Sequence, residues 1–78
     1  MSKKKIEECI RENFKTYFED LAGTEPHGLY DMLLRAVEKP LLEVVMQEAD
    51  QNQSRAAEWL GLNRNTLRKK LLEHKLLK

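Results

Sequence analysis

Residues 52–71, NQSRAAEWLGLNRNTLRKKL, read as two short helices joined by a tight turn. Gly61 falls where that turn needs a positive φ, a conformation glycine adopts without steric cost. Ala57, four residues earlier, sits where two helices must cross closely. Leu60, Leu62, Leu67 and Leu71 supply apolar contacts between them, and Leu67 and Leu71, one turn apart, share a face of the second helix. Asn52 is expected to cap the first helix and Asn63 the second. The second helix opens on Asn63-Arg64 and continues into Arg68-Lys69-Lys70. This is the sequence form of a helix-turn-helix, the motif that lays its second helix in the DNA major groove.

Upstream, residues 29–49 form the longest helical stretch, and its apolar residues fall on more than one side: Leu29, Tyr30, Met32, Leu33, Leu34, Val37, Leu41, Leu42, Val44, Val45 and Met46. A helix that is apolar on several sides must be buried on several sides. One short partner helix in a 78-residue chain does not supply that much cover, so the pattern predicts a second copy. Pro40 interrupts the backbone bonding and is expected to kink this helix without splitting it. Asp50 and Gln51 link it to the motif.

Before it, Ile6, Cys9, Ile10, Phe14, Tyr17, Phe18 and Leu21 step by three and four, the mark of an amphipathic helix over residues 6–20. Residues 22–28, AGTEPHG, are expected to be a loop, with Gly23 as the helix stop and Pro26 and Gly28 as breakers. Residues 1–5 are read as a solvated basic tail. Cys9 is expected in the core, His27 and His74 in solvent.

Composition narrows the function classes. The length allows one domain, which is marginal as a lone core and commonly remedied by oligomerisation. Hydrophobic residues at 41% and charged residues at 35% fit a folded helical protein rather than a disordered chain. No apolar run reaches membrane-span length, and no signal-peptide pattern is present. A single cysteine forms no internal disulfide and suits a reducing cytoplasm. The net charge of +1 hides an asymmetry. Residues 1–49 hold seven Lys/Arg against ten Asp/Glu, a net −3; residues 50–78 hold seven against three, a net +4. The basic charge therefore gathers on the suspected DNA-binding segment, and the acidic half is better read as a core or pairing region. No catalytic constellation, phosphate-binding glycine loop or metal-ligand spacing is visible, so no enzyme activity, cofactor or metal is expected.

The stretch NQSRAAEWLGLNRNTLRKKL, the central EKPLLEVVMQ with its proline, and the spacing of Asn13, Tyr17 and Phe18 together resemble the Fis family, the factor for inversion stimulation. The resemblance covers about residues 6–70. It implies an all-α, four-helix fold, with a dimerisation core over residues 6–49 and a helix-turn-helix over 52–73, assembled as an intertwined homodimer. It also implies a bacterial nucleoid-associated protein of the cytoplasm that regulates transcription and bends double-stranded DNA. Its two recognition helices would stand closer than one DNA turn requires, so binding narrows the minor groove and reads DNA shape. By motif position, Arg64 would contact a base edge, a guanidinium suited to guanine. Asn63 would touch the backbone and a nearby base edge. Asn52, Ser54, Thr66, Arg68, Lys69 and Lys70 would hold phosphates.

Three departures qualify the resemblance. The family's N-terminal β-hairpin arm, which contacts DNA recombinases, has no counterpart in residues 1–5, so a recombinase partner is not expected. Asn65 stands where the family carries glycine, at the start of the recognition helix. Glu58 and Trp59 replace apolar residues, with Trp59 expected to pack in the core. Two rival readings remain: the C-terminal DNA-binding domain of an enhancer-binding activator of the NtrC class, or a helical dimerisation module that binds no DNA.

Overall fold

Ser2 starts the first helix. Its extended backbone (φ −76°, ψ 152°) turns the hydroxyl to accept the Lys5 amide at 3.3 Å, which satisfies one of the donors a helix start leaves unpaired. The computed structural model describes residues 2–77, and α1 runs over Lys3–Leu21. The expected basic tail is therefore corrected: Lys3, Lys4 and Lys5 are the first turn of α1, helped by lysine's good helix propensity. Met1 lies outside the described residues. The stop also moves by one position. Ala22 closes α1 in the left-handed region (φ 50°), its amide bonded to Glu19 O at 3.1 Å, while Gly23 follows at φ 90°.

Helix α2 (Leu29–Glu48) runs through Pro40 as one element. The proline deprives the Ala36 carbonyl of its helical donor, but both residues lie on an exposed stretch open to solvent. Two short helices follow, α3 (Gln53–Leu60) and α4 (Arg64–Glu73). Among the described residues there is no strand, and no helix is long and apolar enough to cross a membrane.

The buried core is Leu42, Met46, Ala49, Ala56, Ala57, Leu67 and Leu71, with Val45, Leu60, Leu76 and Leu77 packed on its edge. All of it comes from residue 42 onward. The C-terminal half of α2 is thus a third wall of the helix-turn-helix, and a motif unit over 52–73 omits part of its own core.

Helix α2 carries two apolar stripes with different fates. Leu42, Met46 and Ala49 face the motif and are buried. Tyr30, Leu34, Val37, Leu41 and Val44 alternate steps of four and three and are all about half exposed or more. That spacing is the 3.5-residue repeat with which one helix packs along another.

Helix α1 contributes no buried residue. Its aromatic residues stack edge to face, with Phe14–Tyr17 centroids 6.2 Å apart and Tyr17–Phe18 6.1 Å apart. Phe14 and Tyr17 line a shallow apolar groove with Met32, Leu33 and Ala36 of α2. Ile6 and Phe18 stay about half exposed, and Cys9, expected in the core, is exposed. The stripe stands where the sequence predicts it, and within one chain α2 covers it only in part.

Candidate nucleic-acid interface

Asn52 opens α3 in extended backbone, its Oδ1 accepting the Arg55 amide at 3.1 Å. Asn63 opens α4 in the same way, accepting the Asn65 amide at 2.8 Å. Both caps stand where the sequence places them. Between them, Gly61 takes φ 70°, ψ 29°. The Leu62 amide reaches back to Ala57 O at 2.9 Å and the Gly61 amide to Glu58 O at 3.2 Å. This bond pair is a Schellman motif, which satisfies the last carbonyls of α3 and turns the chain sharply into α4. Ala56 and Ala57 are buried at that crossing, where a larger side chain would hold the helices apart.

Packing divides the faces of α4. Leu67 and Leu71 are fully buried, so the rest of the helix is aimed by them. Arg64, Asn65, Thr66, Arg68 and Lys69 are exposed, as are Asn52 and Ser54 at the start of α3 and the Asn63 cap. Arg64 and Arg68 are one turn apart, as are Asn65 and Lys69, so two rungs of polar and cationic side chains run down one side. Among the described residues, Arg64, Arg68 and Lys69 take part in no ion pair. The first turn of α4 holds no acidic residue. A guanidinium at that position opposes the helix dipole, and its charge is free to meet an anion.

Lys70 is placed differently from the other candidates. Its ammonium lies 2.9 Å from Glu38 Oε2, and His74 Nε2 lies 2.8 Å from Glu38 Oε1. One carboxylate of α2 thus holds two residues of α4. The Lys70 hydrogen bond first, then that of His74, pulls the Glu38 carboxyl below its ordinary pKa, outweighing the opposing effect of burial. His74, expected in solvent, keeps a side chain only 11% exposed. Trp59, expected in the core, is 57% exposed. Its neighbours Ala57 and Leu60 take the inward positions of α3, and position 59 then points away from them.

Sequence reasoning missed Arg55. It is exposed and unpaired among the described residues, directly after Ser54 in the first turn of α3. Like Arg64, it sets a cation against the dipole of its helix. His27 is exposed as expected. Among the described residues no cluster of three or more His, Cys, Asp or Glu side chains is arranged to hold a metal ion.

The family model described as bacterial regulatory protein, Fis family, matches residues 33–74, more than half of the chain. A Fis-like DNA-binding protein of Ralstonia nicotianae is 58% identical over 77 residues, covering 99% of this chain and 100% of that protein. One from Neisseria meningitidis serogroup A is 62% identical over 72 residues, covering 92% and 91%. The DNA-binding protein Fis of Proteus mirabilis is 42% identical over 74 residues, covering 95% of this chain and 76% of that one.

Proposed function

We propose a function from one premise: the chain belongs to the Fis family of bacterial regulatory proteins. It is a DNA-binding regulator that acts on double-stranded DNA as a homodimer in the bacterial cytosol, bending its sites and helping to organise the nucleoid. It binds and shapes DNA and catalyses no reaction. One observation carries the reading. A helix set rigidly on a buried core presents a row of unpaired cations, headed by Arg64 against the helix dipole.

In this reading Arg64 contacts a base edge, since a guanidinium bonds both acceptors of guanine in the major groove. Asn63 caps α4 and reaches the backbone and an adjacent base edge. Asn52, Ser54, Arg55, Thr66, Arg68 and Lys69 hold phosphates on either side, fixing register without reading sequence. Lys70 is left out of this surface because Glu38 engages its ammonium. Asn65 stands beside Arg64 and adjusts base preference.

The homodimer rests on the outward stripe of α2. Tyr30, Leu34, Val37, Leu41 and Val44 would each gain roughly 1 kcal/mol from covering their exposed half, on the order of 5 kcal/mol per protomer. A second copy offers the same stripe at the same heptad spacing. Two motifs fixed to one core then engage one face of the duplex. Copies set closer than a helical turn require the DNA to bend, and the intervening sequence contributes through its deformability.

A gel-shift titration with wild type and Arg64→Ala tests the reading. Wild-type affinity should fall steeply with salt, each neutralised phosphate contributing roughly −0.9 to the log–log slope. Arg64→Ala should weaken binding by about 1–3 kcal/mol and relax sequence preference. A wild type that binds no duplex at low salt makes this a protein-pairing module instead. A mutant with unchanged preference removes Arg64 as the base reader.

A further inference from the structure

The Glu38–Lys70–His74 bridge is not needed for the DNA surface just described, and it is unusual within the molecule. Among the described residues, every other side-chain hydrogen bond joins residues no more than four apart. The two bonds of Glu38 span 32 and 36 positions. They also sit at a structurally informative place. Glu38 is one turn before Leu42 on the stripe of α2 that faces the motif, and Lys70 and His74 flank Leu71 on the inward side of α4. The bridge is therefore the polar continuation of the apolar seam between α2 and α4.

Leu42, Leu67 and Leu71 seat α4 by apolar packing, which is non-directional and supplies no hydrogen bond to define its tilt. A carboxylate that receives one bond on each oxygen, from residues one turn apart, fixes direction as well as distance. The bridge is only partly exposed: the side chains of Lys70, His74 and Glu38 are 32%, 11% and 26% accessible. It is better shielded from salt than the surface pairs Arg11–Glu7 and Arg35–Asp31.

We propose that Glu38 is a positioning residue for DNA recognition: by holding Lys70 and His74 it sets the tilt of α4 against the helix that carries the pairing stripe, and so the half-site spacing that a pair of copies accepts. Val37 and Leu41 of the pairing stripe are Glu38's neighbours along α2. A tilt of α4 is thereby referred to the dimer axis through about one helical turn. The bridge also explains a lysine in the recognition helix that does not face outward. The proposal rests on the functional reading above.

The test uses a duplex selected by the wild-type protein from a random-sequence pool, then remade with base pairs inserted or deleted at its centre. Affinities are measured for wild type, Glu38→Gln, Lys70→Met and the double variant, with helicity checked by circular dichroism. The wild type should discriminate sharply among spacings. Glu38→Gln should lose about fivefold of that discrimination, the low end of couplings between sites, with its salt slope unchanged. Lys70→Met should lose a similar amount, and the double variant no more than either, because one bridge is broken in all three.

Unchanged spacing preference in folded Glu38→Gln overturns the proposal. So does tighter binding by Glu38→Gln at every spacing with a steeper salt slope, which would make Glu38 a mask over a phosphate-binding lysine. A Glu38→Gln chain that fails to fold overturns it too, since the bridge would then hold the fold and not the spacing. A wild type that selects no duplex removes the functional reading itself, and that result is read before any variant is made.

Discussion

Replacing Asp50 by glycine should stabilise this protein by about 1 kcal/mol, and the same helix ending at Gly61 supplies the control. Helices α2, α3 and α4 all end in one bond pattern. Gln51 N reaches Met46 O at 2.8 Å and Asp50 N reaches Gln47 O at 3.1 Å; Leu62 and Gly61 repeat the pair on α3, and Leu76 and Lys75 on α4. Each pattern needs a left-handed residue, and the three are Asp50 (φ 53°), Gly61 (φ 70°) and Lys75 (φ 58°). Only one is the residue best suited to the conformation. A non-glycine residue there costs about 1–2 kcal/mol, and a glycine gives back about 0.4–1 kcal/mol through its freer unfolded chain. Asp50 adds a further term, because its carboxylate sits at the negative end of α2, worth roughly 0.3–1 kcal/mol. The terms add for Asp50→Gly to a gain of about 1 kcal/mol. For Lys75→Gly a favourable cation is lost at the same kind of helix end, and the balance is about zero. Gly61→Ala should cost about 1 kcal/mol and no more, since a Cβ there meets nothing within 4 Å. Urea unfolding at one fixed protomer concentration measures all three, with m values expected to be unchanged. Destabilisation by Asp50→Gly, or a Gly61→Ala cost above about 3 kcal/mol, would show that these turns are held by contacts and not by backbone conformation.

Leu71→Ala should cost about 3 kcal/mol by opening a cavity at a fully buried position. The adjacent Leu72→Ala, about half exposed, should cost under about 1 kcal/mol in the same unfolding assay. Leu41→Lys puts a charge on the outward stripe of α2 while leaving the motif core untouched; sedimentation at micromolar concentration should show loss of the dimer, and a stable dimer would move the interface elsewhere. Glu38, whose carboxyl titrates below its ordinary range because of Lys70 and then His74, contributes stability that is present above the unfolded carboxylate pKa and lost as pH falls through the lower folded value. The stability gap between wild type and Glu38→Gln should therefore hold near pH 7 and close below about pH 4 in a pH series of unfolding curves.

What the sequence revealed and what it concealed divide by range. Asn52, Gly61 and Asn63 were legible because capping is a contract among residues two to five apart, and local chemistry is written locally. The two apolar stripes of α2 were visible as excess hydrophobicity, though not as two stripes with separate partners. Ala22 was passed over as the end of α1 because a glycine follows it, and the backbone turned one residue sooner. The run Lys3 to Lys5 reads as a tail in sequence, whereas the Ser2 cap places it inside α1. Lys70 and His74 could not be read from α4 alone, since an outward lysine and one reaching another helix look identical in a basic run. A signal did exist on the other side: Glu38 lies one turn before Leu42 on the buried stripe, where an unpaired carboxylate is costly and demands a cation. Trp59, expected in the core, stands exposed because Ala56, Ala57 and Leu60 fill the inward face of α3.

The extent of the family match, residues 33–74, bears on how such a protein is built. It begins well before Asn52, within α2, and it takes in Glu38, Leu42, Met46 and Ala49, the wall against which α3 and α4 pack. The unit that the core defines is therefore a trihelical one, the C-terminal half of α2 with α3 and α4. A helix-turn-helix of two helices with 8 and 10 residues has too little apolar surface to fix its own geometry. Borrowing half of α2 solves that problem and has a consequence for recognition. In the proposed dimer, the pairing stripe and the wall on which α3 and α4 pack are two faces of one 20-residue helix, so the helices proposed to meet DNA are seated directly on the pairing element. Spacing between motifs is then a property of side-chain packing along α2. It follows that substitutions at its inward stripe, which touch neither DNA nor a partner chain, are the ones expected to change which DNA shapes are accepted.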